Sequence, residues 1–413
     1  MSSCTSNMNG TLAINLHCRN LTPCLNGDKS PKRVNCWIQY HQERFLAKMP
    51  PGSAAHPGAN DGALAGSAAL RFRLAGPADL NRCAELLPAG FRASAAVQRR
   101  LVEIWQDILA SEARTFTIVE DLERPRPMNI EGFGISVFVR ESFLKEFWTS
   151  PRPYLAAAFY ERMLAGDDPM LTGAELAAIN STTGLNVLVL HFGLSNEDLS
   201  NPRTAQVLSV GSSAFFFFHA GYRIHVLMNE VYGPQPCAYM EQGGFRLLRD
   251  FHAACPAEFK NAPPERRPYL FALRREWVKP GAVHPLSHLF FAAPSRIGFS
   301  ALERRVLEGA LLNESDLQIA ERLGMSVDSV KNAWRNIYAR TEREVRNLMP
   351  PAHSDSGIRG QEKRRHILEY VHAHPEELRP VRRHGRSEQP RHAEKHSVGQ
   401  NRHAYGIGYP REK

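Results

Sequence analysis

The sequence predicts an N-terminal α/β (or α+β) domain over residues 69–279 and a small all-α unit over 299–349, between disordered termini. Three observations predict this. In Leu70-Arg71-Phe72-Arg73-Leu74 apolar residues alternate with arginines, and Leu80, Cys83, Ala84 and Leu87 then recur at helical spacing, so a half-buried strand feeds a helix. Leu185 to Leu190 is a continuous apolar run suited to a strand covered on both faces. From Phe299 to Met349 the apolar spacing is helical throughout.

Residues 1–68 alternate Asn, Ser, Gly and Pro without a sustained period and are expected to be a disordered leader. Met49 just precedes the Pro/Gly/Ala stretch and is a candidate alternative start. Cys4, Cys18, Cys24 and Cys36 form no Cys-x-x-Cys pair, which argues for free thiols rather than a zinc module. After the first strand, Pro77-Ala78-Asp79 opens the first helix. Val97, Leu101, Ile104, Trp105, Ile108 and Leu109 mark a second amphipathic helix, followed by strands at Thr115 to Val119 and Ile135 to Val139. The acidic pair Glu120-Asp121 reads as turn-forming. Ala214 to Tyr232 is apolar and ambiguous between helix and strand, residues 256–268 read as a polar connector, and Pro280 and Pro294 mark a hinge within a 280–298 linker. His219, His225 and Glu230 are candidate metal ligands on residue type, but a helix does not set i beside i+6, so core histidines are the expectation and no metal or cofactor is assigned. Residues 350–413 are expected to hold a charged helix from Gly360 to Glu377, striped by Ile367, Leu368, Tyr370 and Val371, and then a disordered basic tail. Arg364, Arg365, Arg382 and Arg383 would add nonspecific attraction for polyanions.

The chain has 413 residues, with 51 Lys+Arg against 42 Asp+Glu, a net charge of +9 that favours polyanionic partners. No apolar run reaches the length of a bilayer crossing, and the first residues lack the pattern of a secretion signal. A cytoplasmic protein with no membrane partner is the expectation.

Four short helices are expected within 299–349. Leu302, Val306, Leu307 and Ala310 stripe the first, and Leu317, Ala320 and Leu323 the second. Gly324 is placed to end the second helix in a left-handed conformation, and Ser326 to cap the third. That tight turn throws the third helix across the second. Val330, Trp334 and Ile337 then face inward, leaving Asp328, Lys331, Asn332, Arg335 and Ala339 outward, a cationic, amide-bearing face suited to phosphates and base edges.

This segment resembles the LuxR-type helix-turn-helix family without insertion. Phe299, Ser300, Glu303, Val306 and Leu307 meet the family's opening pattern; Ile319, Ala320, Leu323, Met325 and Ser326 meet its centre; Ser329, Val330, Lys331, Asn336 and Ile337 meet its third helix. The departures are Asn313 for a glycine, Gly309 for an apolar residue and Ala333 for a frequent histidine. The resemblance implies a transcription regulator that binds double-stranded DNA, with Lys331 as a contact and Ser326 and Ser329 near the backbone. Together with the exposed face, the candidate DNA-binding residues are Ser326, Ser329, Lys331, Asn332, Arg335 and Asn336. A homodimer is expected, since one such unit reads only a short half-site, with the larger domain sensing a small-molecule effector or dimerising.

The larger domain resembles the GNAT acetyltransferase fold at LRFRLAGPADLNRCAELL and at AYMEQGGFRLLRDF. That resemblance implies acyl transfer from coenzyme A, whose pyrophosphate such proteins seat on a glycine-rich loop at a helix N-terminus. After Leu190 only Arg203, Gln206 and Gly211 are found, at other spacings, and Tyr239 falls one position from the family's usual tyrosine. No catalytic residue is therefore assigned; a degenerate, non-enzymatic module is the leading expectation and a fused acyltransferase the alternative.

Overall fold

The computed structural model describes residues 69–278, 286–348 and 359–381. The leader with its four cysteines and Met49, Pro280 in the linker, and the tail from residue 382 with Arg382 and Arg383 lie outside the described residues.

The sheet domain begins with β1 (Leu70–Leu74), α1 (Leu80–Glu85) and α2 (Ala95–Ala110). Its long hairpin follows as β2 (Arg114–Asp121) and β3 (Ile130–Val139), then α3 (Glu141–Thr149), α4 (Leu155–Leu164) and α5 (Gly173–Asn180). The order continues through β4 (Leu185–Leu194), α6 (Pro202–His219), β5 (Ile224–Tyr232), α7 (Pro234–Gln242), β6 (Arg246–Asp250) and β7 (Pro268–Arg274). The seven strands make one mixed sheet in the order β1-β2-β3-β4-β5-β7-β6. Every neighbouring pair is antiparallel except β4 and β5.

Helices cover both faces, which is why the central strands read as apolar runs. Trp105, Phe116, Phe133, Phe147 and Tyr160 fill the core under α1 to α4. Phe138, Leu176, Tyr222 and Ile224 fill the other face with Leu286, Leu289 and Phe290. Within the segment expected as a hinged linker, Leu286, Leu289 and Phe290 are thus packed on the sheet, and Ile297 is packed in the next core.

The early elements match the sequence expectation, and the ambiguous stretch resolves into the end of α6 and into β5. Others escaped it for physical reasons. In α4, Leu155 to Tyr160 are all buried, so no polar face marks the helix. The 256–268 connector carries a four-residue helical turn and leads directly into β7, which begins on Pro268, a position where a missing N–H costs little. Glu120 and Asp121 are buried rather than turn-forming alone: Glu120 pairs with Arg71 at 2.6 Å and Arg73 at 3.1 Å, and Asp121 pairs with Arg203.

The C-terminal unit has three helices over the expected range instead of four: α8 (Ala301–Leu311), α9 (Asp316–Leu323) and an unbroken α10 (Val327–Glu344). A further helix, α11 (Arg359–Ala373), completes the same core through Ile367 and Val371. The unit therefore extends past the expected boundary at 349. Val306, Leu307, Ala310, Ile319, Ala320, Val330 and Ile337 form its centre. Leu302 and Leu317, expected inward, are exposed, and Ile319 takes the inward place on α9.

No helix among the described residues is long and apolar enough to cross a membrane.

Candidate functional site

The turn between α9 and α10 forms as its residues dictate. Gly324 adopts φ 64°, where a side chain would be strained, and Ser326 Oγ accepts the Ser329 N–H at 3.2 Å. Two capping boxes add to this: Ser300 with Glu303 opens α8 and Ser315 with Gln318 opens α9. The departures from the helix-turn-helix pattern have local causes. Asn313 sits at φ 61°, a conformation asparagine tolerates. A Cβ on Gly309 would lie 2.5 Å from both Arg322 and Glu314, which pair across it at 2.8 Å. Ala333 is buried, so its replacement falls in the core and not on the exposed face.

Lys331, Asn332, Arg335 and Asn336 are brought together on the exposed face of α10, with Asp328 and Ala339. Lys331 Nζ lies 3.3 Å from Asp328 and Arg335 Nη1 donates to Asn332 Oδ1 at 2.7 Å, exposed contacts of small worth. Ser326 and Ser329 stand at the helix start with their hydroxyls 2.9 Å apart. Val330, Trp334 and Ile337 face inward as expected. Arg364 is not a free surface cation: it covers the Trp334 ring at 4.3 Å and pairs with Asp316 at 2.9 Å, whereas Arg365 is exposed.

In the sheet domain the parallel pair is the irregular place. β4 and β5 are in register only from Leu185↔Ile224 to Val189↔Asn229. Beyond that β4 stays with β3 and β5 with β7, so Leu190–Leu194 and Glu230–Tyr232 part company. At the point of parting, Ile135 pairs with His191 and Ser136 with Val189, which leaves Leu190 as a bulge. A crevice at the carboxyl ends of two parallel strands is where open α/β sheets bind ligands.

The loop between α1 and α2 crosses this crevice. A Cβ on Gly193 would strike the Leu86 carbonyl, and one on Gly90 would strike Tyr232. Phe91 meets the His191 ring edge-on at 4.7 Å, and Tyr160, Trp105 and Phe133 complete an aromatic box around it. His191 is buried, its Nε2 has no partner, and burial pushes its pKa down to about 3. On the β5 side Glu230 accepts the backbone N–H groups of Tyr154 at 2.9 Å and Leu155 at 2.5 Å, pinning the start of α4, where Tyr154 holds φ 65°. Burial pushes the Glu230 carboxyl up to about 7, against the opposing pull of those N–H groups.

The N-terminus of α6 is internally satisfied. Asn201 Oδ1 accepts from Arg203 N at 2.8 Å and Thr204 N at 3.4 Å, and Arg203 is turned to Asp121. The preceding loop, 195–201, has no glycine and carries Glu197 and Asp198. Helices α6 and α7 are bridged by Ser212 and Tyr239 at 3.1 Å, and Leu199 N donates to Gln235 at 3.2 Å.

The histidine pair expected as a core feature is one in part. His219 Nε2 lies 2.8 Å from Ser136 Oγ, Nδ1 lies 2.7 Å from the Phe215 carbonyl, and its ring stacks on Phe215. His225 and Glu230 do not join it, and among the described residues no His/Cys/Asp/Glu cluster could hold a metal. Sequence reasoning missed His191, hidden in an apolar strand, and Arg379, placed at the start of a solvated tail. Arg379 is 2% exposed and reaches from the C-terminal unit to the carbonyls of Ala220 at 2.7 Å and Phe217 at 2.9 Å on the sheet domain.

No family model matches the chain, and no curated protein does. Solved structures do show likeness, each over 50% of this chain. The Arabidopsis thaliana protein NAA60 in complex with a bisubstrate analogue is 15% identical, over 97% of its own length, with a TM-score of 0.30. FeeM, an N-acyl amino acid synthase from uncultured soil microbes, is 12% identical over 88% of its length, with a TM-score of 0.28. A mutant of the spermidine N-acetyltransferase SpeG from Vibrio cholerae is 12% identical over 93%, with a TM-score of 0.28.

Proposed function

We propose that the sheet domain is an acyltransferase-type module that seats an acyl thioester between β4 and β5, fused to a helix-turn-helix that reads double-stranded DNA. One observation carries the first half: the parallel strands part after Val189 and Asn229, at the Leu190 bulge. There the backbone of β4 has no ladder partner on the β5 side, so an N–H is available to a thioester carbonyl, where it would stabilise the charge that develops on oxygen during transfer. The likeness to solved structures lies on this side and lends nothing to DNA binding.

The donor's phosphates find less. Asn201 already occupies the α6 N–H groups, and Glu197 and Asp198 oppose an anion. A short pantetheine thioester is accordingly expected to bind about as well as acetyl-coenzyme A. Calorimetry with S-acetyl-pantetheine and with acetyl-coenzyme A tests the reading; absence of heat with both would remove it.

The second reading is a DNA-binding regulator of LuxR type whose sheet domain senses or dimerises without catalysis. The exposed row Lys331, Asn332, Arg335 and Asn336 favours it, as does the Ser212–Tyr239 bridge across the helices beside the crevice. Two-fold pairing of copies would extend the half-site. Genome-wide footprinting with the full chain tests it, and a footprint no different from naked DNA would exclude it.

A further inference from the structure

Positive charge is left over where the C-terminal unit meets the sheet domain. Glu308 on α8 lies 3.3 Å from Arg379, whose guanidinium donates to the Phe217 and Ala220 carbonyls and sits 4.8 Å over the Tyr222 ring. Arg304 stands one turn before Glu308 and shares the face of α8 that is turned to the sheet domain. Below it the Tyr222 and Phe138 rings meet at 4.6 Å, and Phe138 N donates to the Ala113 carbonyl at 2.8 Å, which brings the start of β2, with Arg114, to the same place. Arg114 directs Nε and Nη2 to a single acceptor, the Leu109 carbonyl, and Arg304 donates Nη1 to the Phe299 carbonyl. Among the described residues neither forms an ion pair, and neither does the exposed Arg305 beside them. Glu314 is already paired with Arg322 at 2.8 Å and Glu308 with Arg379, which leaves Glu112 as the unengaged acid in reach of Arg304. Burial pulls Arg114 and Arg304 below the usual arginine range, and the cations Arg305, Arg322 and Arg379 pull the same way against Glu308. Taking a cation out of water without a counter-charge is unfavourable, so guanidiniums gathered here without carboxylates call for an anion.

We propose that the seam between α8 and the start of β2 is a binding site for a phosphoryl anion, held by Arg114 from the sheet domain and by Arg304 and Arg305 from the C-terminal unit. Among the described residues Nη1 of Arg114 and both Nε and Nη2 of Arg304 keep free donors, and a guanidinium fork matches two oxygens of one phosphoryl group. Such a group brings a charge of about −1.5 to −2 at pH 7 and three acceptor oxygens, enough to be shared by both sides of the seam. Arg114 and Arg304 are partly buried, which favours a small anion over the broad backbone of a duplex. Because its donors come from both units, the bound anion joins the reader to the sheet domain and sets how rigidly α10 is presented to DNA. The site lies where β5 begins, at the other end of the strand from its parting with β4, and does not depend on the acyltransferase reading.

The test titrates the full chain with inorganic phosphate, pyrophosphate and glycerol 3-phosphate by calorimetry at constant ionic strength, with sodium chloride as the control. Saturable binding of at least one of the three is expected, and hydrogen exchange at saturation should slow in peptides covering both 109–115 and 299–308. Tighter binding of glycerol 3-phosphate than of inorganic phosphate would support the site with a phosphate ester as its ligand, and the reverse order would support it with the free anion. Arg114→Gln and Arg304→Gln should each weaken binding about tenfold or more while keeping the parent circular dichroism spectrum, since each removes charge-assisted bonds. Arg304→Lys, which keeps the charge and loses the fork, should fall between the parent and Arg304→Gln. Arg365→Gln, on the exposed side of α11, should bind as the parent does. Heats no different from chloride for all three anions would overturn the inference, as would slowed exchange on one side of the seam alone or parent-like binding in both glutamine variants. Weakened binding of duplex DNA in Arg304→Gln, without saturable binding of any anion, would also overturn it and assign these arginines to the DNA backbone.

Discussion

Replacing Arg379 by alanine should loosen the seam between the two parts of the molecule. The guanidinium is 2% exposed, donates to the carbonyls of Ala220 and Phe217, sits 3.3 Å from Glu308 on α8 and lies 4.8 Å over the Tyr222 ring. Those two carbonyls end α6, and Asn180 Nδ2 donates to the next residue's carbonyl, Pro380, at 2.9 Å. Hydrogen bonds to a charged group are worth about 1.5–3 kcal/mol each, and losing one partner of a buried ion pair costs about 3–5 kcal/mol. The contacts share one side chain and water re-enters the gap, so the sum is not additive; about 3 kcal/mol is expected at the seam. Read by hydrogen exchange, that is about a hundredfold faster exchange in peptides covering 214–222 and 375–381. The sheet centre, Phe116 to Phe133, should be unaffected. Arg379→Lys should recover only part of the protection, since an ammonium cannot span both carbonyls and Glu308 at once. Equal exchange in Arg379→Ala and the parent at both edges would refute the seam as described.

Three further outcomes follow from other parts of the structure. Lys331→Ala should weaken DNA binding and lower the slope of log K against log salt by about 1, as measured by fluorescence anisotropy; the same affinity and slope would remove α10 as the reader. Glu230 has its folded pKa raised to about 7 from an ordinary 4.5, so its contribution to stability is present below the lower value and is lost as pH rises through the upper one. Between pH 4.5 and pH 8 the parent should lose up to about 3 kcal/mol relative to Glu230→Gln in urea unfolding, and a pH-independent difference would contradict the burial argument. Asn201→Ala should cost about 1 kcal/mol of stability as a lost cap, yet tighten acetyl-coenzyme A relative to S-acetyl-pantetheine by freeing the Arg203 and Thr204 N–H groups. Calorimetry with both thioesters reads the ratio, and an unchanged ratio would place the phosphates elsewhere.

The amino-acid sequence alone determined what depends on near neighbours. The β1–α1 start, the α2 stripe, the Gly324 turn, the Ser326 cap and the outward set Lys331, Asn332 and Arg335 all follow from period and capping over a few residues, and the fold reproduces them. The missing glycines at the start of α6 were legible too, and Asn201 shows what takes their place. Tertiary structure decided the rest, because it joins residues far apart in the chain. The inward face of α9 turned on which side α8 and α10 present, so Ile319 is buried and Leu317 is exposed. His191 gains meaning only when Phe91, Trp105 and Tyr160 close around it. The parting of β4 and β5 is a matter of register between strands whose own sequences look uninterrupted. Arg379, some 160 positions from the carbonyls it holds, reads as tail until burial removes it from water and makes those carbonyls its necessary partners.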